Sequence, residues 1–266
     1  RFVMDALMKG GIPFHMKDAI PNLFAHWISL DIIAYLRLVS GTGNTRANWL
    51  RIMNRPNRYI KREALAPFTS DISVAQLKAY YQDKDWMLER LDRLEYDLSI
   101  MKRMSPYAAI HYLSNAMKYQ DYLKDYAKEH HINEQELLDV LNAVHESSQS
   151  CRTFAEWFTY IDTYTEELQK QAKSPASKDA NNESGVCLCT LHCAKGLEYP
   201  IVFIPDINED NIPHARAAVD ADLEEERRLF YVGITRAKEH LHLYCVGEAS
   251  GKEKFPSRFL EELNEM

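Results

Sequence analysis

The feature that most constrains the fold is a change of hydrophobic period along the chain. Residues 71–172 are almost continuously helical in pattern. Met87, Leu91, Leu94, Leu98 and Met101 recur at spacings of four and three, the stripe of an amphipathic helix. The seam covers two heptads, so a packed helical bundle is expected rather than a free coiled coil. Ser105-Pro106 opens another helix with proline in its first turn, carrying Ile110, Leu113 and Met117 and continued by Tyr119, Tyr122, Leu123 and Tyr126. Asn133 with Glu136 is a capping-box-like start for Leu137, Leu141 and Val144. Phe154, Trp157, Phe158, Ile161 and Tyr164 form the last stripe.

On either side the pattern differs. Residues 1–9 read as a helix stopped by Gly10-Gly11, and Ile12–Met16 as a short extended segment. Residues 22–39 contain a helix with Ile28, Ile32, Tyr35, Leu36 and Val39 on one side, broken at Ser40–Asn44. Lys173–Gly185 is polar and rich in turn formers, and a mobile loop is expected there. The pattern then turns to β at Val186–Leu191, Pro200–Pro205 and His240–Val246, with helices at Asp222–Lys238 and Phe255–Met266. The expected fold is α/β with an all-α insertion. The α/β part is discontinuous over 1–40 and 185–266, and the helical domain occupies 41–184.

At 266 residues and 46% hydrophobic, the chain is long enough for two domains. Its 32 basic and 39 acidic residues give a net charge of −7, so any nucleic-acid contact has to come from local patches. One such patch is Gly41–Arg62, where Arg46, Arg51, Arg55, Arg58, Lys61 and Arg62 occur with no acidic residue and with Trp49 and Tyr59 interleaved. A one-sign run with aromatics suits a nucleic-acid backbone. It equally suits a solvated helix face plus a loop around Pro56, and composition leaves both open.

Five cysteines, with Cys187 and Cys189 in one probable strand, fit a reduced, cytoplasmic chain better than a disulfide framework. Cys187, Cys189, His192 and Cys193 lack the paired spacing of zinc ligands, and no metal site is expected. No run approaches the ~18–20 apolar residues of a membrane span. The chain opens on Arg1 inside a helical pattern shared by Phe2, Leu7 and Met8, so it is expected to belong to a longer protein.

Two stretches carry candidate chemistry. Asp222–Lys238, DLEEERRLFYVGITRAK, places acids at a helix start, where the helix dipole favours them. Leu223, Phe230, Ile234 and Ala237 share one face, and Glu224 and Arg228 stand at i,i+4. Arg236 falls at the far end. Periodicity alone gives a salt-bridged helix feeding a strand. In Thr190–Glu198, TLHCAKGLE, a strand runs into a loop. There Gly196 permits close backbone approach and Lys195 supplies a point charge, an arrangement suited to phosphate. It is not the GxxxxGK[ST] phosphate loop.

EEERRLFYVGITRA resembles motif VI of the UvrD/Rep/PcrA group of superfamily 1 DNA helicases. TLHCAKGLE is similar to their motif V, with Cys193 in place of the common serine. RFVMDALMKGGIPFHM and LDIIAYLRL resemble the tail of motif IV and motif IVa. Arg1 matches a later arginine of motif IV, with the phosphate-contacting one expected upstream. NRPNRYIKREAL resembles the family's NxPxRGIG segment, with Tyr59 and Lys61 at the glycine positions.

The resemblance implies the second RecA-like (P-loop NTPase-like) motor domain of an ATP-dependent helicase, its parallel sheet interrupted by a helical accessory domain. It implies a 3′→5′ translocase that uses ATP and Mg2+ in a site shared with an N-terminal RecA-like domain. Arg236 would be the catalytic arginine finger, and Glu198, Lys195 and Gly196 would meet the nucleotide. Thr190 and His192 would face single-stranded DNA, and Arg55, Arg58 and Lys61 would hold DNA at a junction. The chain by itself is expected to be monomeric, to bind no nucleotide tightly and to be inactive. Two alternatives are a DNA-binding or protein-docking module without motor activity, and part of a helicase–nuclease subunit.

Overall fold

The change of period in the sequence becomes a division into two units, residues 20–170 and residues 1–19 with 171–266. The computed structural model describes the chain apart from residues 1, 19–20, 44, 71, 174–184, 216, 218–219, 250–251 and 265–266. Arg1 and most of the loop expected at Lys173–Gly185 therefore lie outside the described residues.

In chain order, α1 (Phe2–Lys9) and β1 (Phe14–Met16) precede the helical elements. These are α2 (Trp27–Ser40), α3 (Thr45–Ile52), α4 (Val74–Tyr80), α5 (Asp85–Met101) and α6 (Pro106–Asn115). They continue with α7 (Tyr119–His130), α8 (Glu134–Ser147) and α9 (Phe154–Lys173). Then come β2 (Val186–Leu188), β3 (Tyr199–Ile204), α10 (Asp220–Ile234), β4 (Ala237–Leu243), β5 (Glu248–Ala249), β6 (Lys252–Glu253) and α11 (Arg258–Asn264). Among the described residues no helix is long and apolar enough to cross a membrane.

In the helical unit α2 is the central element, packed against α3, α5, α6 and α8. Ile28, Ile32, Tyr35 and Leu36 are fully buried. That burial explains why the unit begins near residue 20 and not after residue 40, the boundary expected from the sequence. Gly41 ends α2 in the left-handed conformation, φ 72°, which glycine adopts without a Cβ penalty. Ser105 caps α6 by accepting from the Ala108 N–H, and Asn133 caps α8 by accepting from the Gln135 N–H. A reciprocal capping box joins Ser73 and Gln76 at the start of α4. The Met87–Met101 seam is core, with Met87, Leu91, Leu94 and Met101 buried. Phe24 meets Trp157, Tyr160 and Tyr164 edge-on, and the Trp49 indole N–H donates to the Ile72 carbonyl at 2.9 Å.

The α/β unit is built from short pairs. β1 runs parallel to β2, β3 parallel to β4, and β5 antiparallel to β6. One continuous RecA-like sheet was the expectation; among the described residues the strands form separate two-stranded sheets. The strand expected over Val186–Leu191 ends at Leu188, and the chain turns before β3. Ile204, Ile207, Phe230 and Phe259 form the core, joined by Leu191, Val202, Leu223, Ile234 and Leu243. α10 covers one face of β3–β4, while Ile201, Phe203 and Tyr244 are exposed.

Candidate functional site

The site is assembled from the turn between β2 and β3 and the turn between α10 and β4. The first begins where Leu188 leaves the β1–β2 pairing. Thr190 donates its N–H to Asp18 Oδ2 at 2.5 Å and accepts, at Oγ1, from the Cys193 N–H at 3.4 Å. Bonds from the Ala194 N–H to the Thr190 carbonyl, and from the Leu197 N–H to the Ala194 carbonyl, wind the segment into one tight turn. Ala194 is its buried side; His192, Cys193, Lys195 and Gly196 are exposed. Gly196 has φ 82°, and a Cβ placed there would meet nothing within 4 Å. The glycine therefore serves the left-handed backbone and leaves an open approach to it.

The second turn corrects the expectation for Arg236. The helix was expected to run through Lys238, but α10 stops at Ile234 and β4 begins at Ala237. Arg236 sits in the two-residue link. Its Nε donates to the Val232 carbonyl at 2.9 Å, one Nη to the Leu197 carbonyl at 3.0 Å and the other to Thr235 Oγ1 at 2.9 Å. The Tyr199 N–H in turn donates to the Arg236 carbonyl at 2.9 Å. Arg236 is thus a staple between the two turns.

Close packing holds this junction. A Cβ on Gly233 would lie 2.5 Å from Leu191 Cδ2 and 3.2 Å from Ile204 Cδ1, so α10 approaches the turn through its glycine. Glu198 is exposed and pairs with Lys238 at 3.0 Å. The expected Glu224–Arg228 pair does not form: Arg227 takes Glu224, and Arg228 reaches Glu225 at 3.4 Å. Arg227 is also drawn to Glu262 on α11, at 2.9 Å, and lies over the Phe259 ring. Arg227 thereby anchors α10 to α11.

Charge in the first turn is set by Asp18 and the cysteines. Burial acts to raise the Asp18 carboxyl. Hydrogen bonds from the Cys193 thiol and from Thr190 outweigh it and leave the group below the usual carboxylate range. Cys187 accepts from the Cys189 thiol and lies 3.0 Å from the Tyr199 hydroxyl. Burial opposes these bonds, yet they bring the Cys187 thiol down to about 5, and the same contact pushes Cys189 up. Among the described residues no group of three or more His, Cys, Asp or Glu side chains is placed to hold a metal ion.

The three candidates from the basic run lie in the helical unit and fare differently from one another. Arg55 donates to Asp31 at 2.8 and 3.1 Å and lies over the Trp27 ring. Arg51 and the Tyr119 hydroxyl join it on the same carboxylate at 3.0 and 2.9 Å. Asp31 is completely buried. Burial and then Asp31 raise the Tyr119 phenol well above its ordinary value. Arg58 donates to the Ile52 and Pro56 carbonyls at 3.1 and 3.2 Å and lies over Tyr35. Of the three, Lys61 is exposed, while Arg55 and Arg58 are partly buried. Asp31 escaped the sequence reading, although one acid within the apolar stripe of α2 was a visible signal. Asp18 and the Leu197 carbonyl gave none.

Comparisons with known proteins identify a family. The model of the UvrD-like helicase C-terminal domain matches residues 1–247. The YjcD protein of Bacillus subtilis (strain 168) is 28% identical over 275 residues, which is 99% of this chain and 34% of that relative. The ATP-dependent DNA helicase PcrA of the same organism is 29% identical over 262 residues, 91% of this chain and 34% of the relative. The ATP-dependent DNA helicase Rep of Buchnera aphidicola is 28% identical over 291 residues, 99% of this chain and 43% of the relative. The chain therefore spans well under half the length of these relatives. It belongs to the UvrD-like helicase C-terminal domain family.

Proposed function

We propose that this chain supplies the second RecA-like motor domain and the helical accessory domain of an ATP-dependent DNA helicase that translocates 3′→5′. The observation that carries the reading is the bond from Arg236 to the Leu197 carbonyl, which ties the motif VI arginine to the motif V turn. ATP and Mg2+ belong to a site shared with an N-terminal RecA-like domain. Lys195 and the open backbone at Gly196 face the phosphates, Glu198 the sugar, and Thr190 and His192 the single strand. Lys61 contacts DNA at a junction, with Arg55 and Arg58 supporting its loop. The working protein is cytoplasmic, and this chain alone is monomeric.

Arg236 is the arginine finger. Its present acceptors are two neutral carbonyls and a hydroxyl. A charged phosphoryl oxygen is the stronger partner for a guanidinium, so bonds of this kind exchange readily. The chemistry is stabilisation of charge on the transferring phosphoryl group, where an arginine finger contributes roughly 10³–10⁵ in rate. In the longer protein, Arg236→Ala is expected to lower DNA-stimulated ATP turnover by that order while nucleotide still binds. Unchanged turnover removes the finger. The 266 residues alone are expected to show no DNA-stimulated ATPase activity, and measurable turnover would overturn the shared site.

A further inference from the structure

With Arg51 and Arg55 committed to Asp31, and Arg58 to carbonyls, the surface of the 54–62 loop presents something other than a row of phosphate clamps. Tyr59 is held at φ 61°, a conformation uncommon for any residue but glycine and costly for a bulky one. Asn57 Oδ1 accepts the Tyr59 N–H at 3.1 Å, and Asn54 grips Ile60 through both its amide atoms at 2.9 Å. Ile60 is buried while the Tyr59 ring stands 59% exposed. The loop spends backbone strain to turn that ring outward.

α5 supplies the other half. Trp86 is 50% exposed, and Arg90 lies one turn further along the helix. The Arg90 guanidinium carbon is 5.0 Å from the Tyr59 ring centre and 5.1 Å from the Trp86 ring centre. Arg90 is exposed and makes no ion pair among the described residues. An unpaired cation held between two exposed aromatic rings has the composition of a base-stacking platform, since every base offers a π face to a ring or guanidinium plane.

We propose that Tyr59, Trp86 and Arg90 form a stacking site for unpaired bases of single-stranded DNA, with Lys61 and Arg62 beside it for the backbone. This rests on the DNA-binding reading above and names which form of DNA the helical unit takes. Acidic residues flank the platform in sequence, Glu63 on one side and Asp85 and Glu89 on the other. They oppose long-range attraction of phosphate. Binding here therefore depends on the bases more than on backbone charge, and its salt dependence is shallow.

Tryptophan fluorescence of the full chain tests it. Of its four tryptophans, Trp49 and Trp157 are buried, Trp27 is partly so, and Trp86 is half exposed. Oligo(dT) is expected to quench the emission, and an abasic oligomer of equal length to bind at least about tenfold more weakly, the loss of one or more stacked bases. With labelled oligomers followed by anisotropy, a readout that does not need Trp86, Trp86→Ala and Tyr59→Gly should each remove that difference. Tyr59→Gly should also hold or raise the thermal midpoint, because glycine adopts φ 61° freely, so lost discrimination cannot be blamed on unfolding. Equal affinity for the two oligomers overturns the platform and leaves the DNA reading standing; no affinity for either overturns both. A blunt duplex that competes as well as oligo(dT) overturns the assignment to unpaired bases.

Discussion

The two units solve the problem of burial in opposite ways. In the helical unit, a single central helix is surrounded, and even a carboxylate, Asp31, is completely enclosed with three donors. In the α/β unit, β3 and β4 are covered by α10 on one face, while Phe203 and Ile201 are 58% and 48% exposed on the other. Parallel strands are normally covered on both faces, so the open side of this pair calls for cover that the described residues do not provide. The candidate nucleotide-facing groups lie on the sparsely covered unit, and the aromatic platform on the enclosed one. Enclosure and candidate chemistry are thus unevenly divided.

The sharpest way to break that contrast is to damage the enclosed charge. Removing one partner of a buried ion pair costs about 3–5 kcal/mol, because the remaining charges lose their counter-ion. The Arg51 and Arg55 side chains are 33% and 38% exposed and can take up water, so Asp31→Ala should destabilise the helical unit by less than that, about 1–3 kcal/mol, and Asp31→Asn, which keeps an acceptor for Arg55 and Tyr119, by less still. All four tryptophans, at positions 27, 49, 86 and 157, lie in residues 20–170. Urea unfolding followed by tryptophan emission consequently reports that unit alone, and circular dichroism reports both. A fluorescence midpoint that stays put in Asp31→Ala would mean that the cluster is a bystander of the helical core.

How much of this was legible in the sequence follows the same division. The helical stripes announced themselves because burial in a bundle imposes a local period, and Met87, Leu91 and Leu94 are buried where the spacing put them. The grouping of α2 with the helical unit was not visible, because α2, although followed by Gly41, packs against helices far along the chain. The motif strings drew attention to the two turns of the candidate site. They did not reveal that α10 ends before Arg236, nor that the guanidinium staples Leu197, since a backbone carbonyl carries no side-chain signature. The basic run was read as one patch by composition. Packing then separated Arg51, Arg55 and Arg58, which pair internally, from Tyr59, Lys61 and Arg62, which are exposed.

A smaller effect is expected at Gly233, where two terms of similar size oppose each other. Alanine in a helix interior gains about 1 kcal/mol over glycine, and less at Gly233, which lies in the last turn of α10. An added methyl 2.5 Å from Leu191 Cδ2 and 3.2 Å from Ile204 Cδ1 forces repacking, which costs about 1–3 kcal/mol. Gly233→Ala should therefore be destabilising by up to about 2 kcal/mol, and should displace Leu191 at the start of the motif V turn. Leu191 methyl resonances and the thermal midpoint check it together. A gain of the full helical increment would show that the junction between α10 and this turn is loose, and that the α/β unit is softer than its contacts imply.

The smallest effect expected is the pH response of the Asp18–Thr190 contact. The Asp18 carboxyl in the folded chain sits below its ordinary value of 3.8, burial acting to raise it and the bonds from Cys193 and Thr190 outweighing that. A carboxyl depressed on folding contributes stability that is complete well above its unfolded value and is lost as pH falls through the folded one. Neutral and mildly acidic solutions should therefore leave the turn intact, and the Thr190 amide should lose its acceptor only below the ordinary carboxyl value. The Thr190 amide proton shift, followed from neutral pH downward, should titrate with a midpoint under 3.8. Asp18→Asn should abolish that titration while keeping an acceptor. A midpoint above 3.8 would mean that burial prevails over the hydrogen bonds, making the turn as enclosed at Asp18 as the helical unit is at Asp31 and removing the contrast at the residue nearest the site.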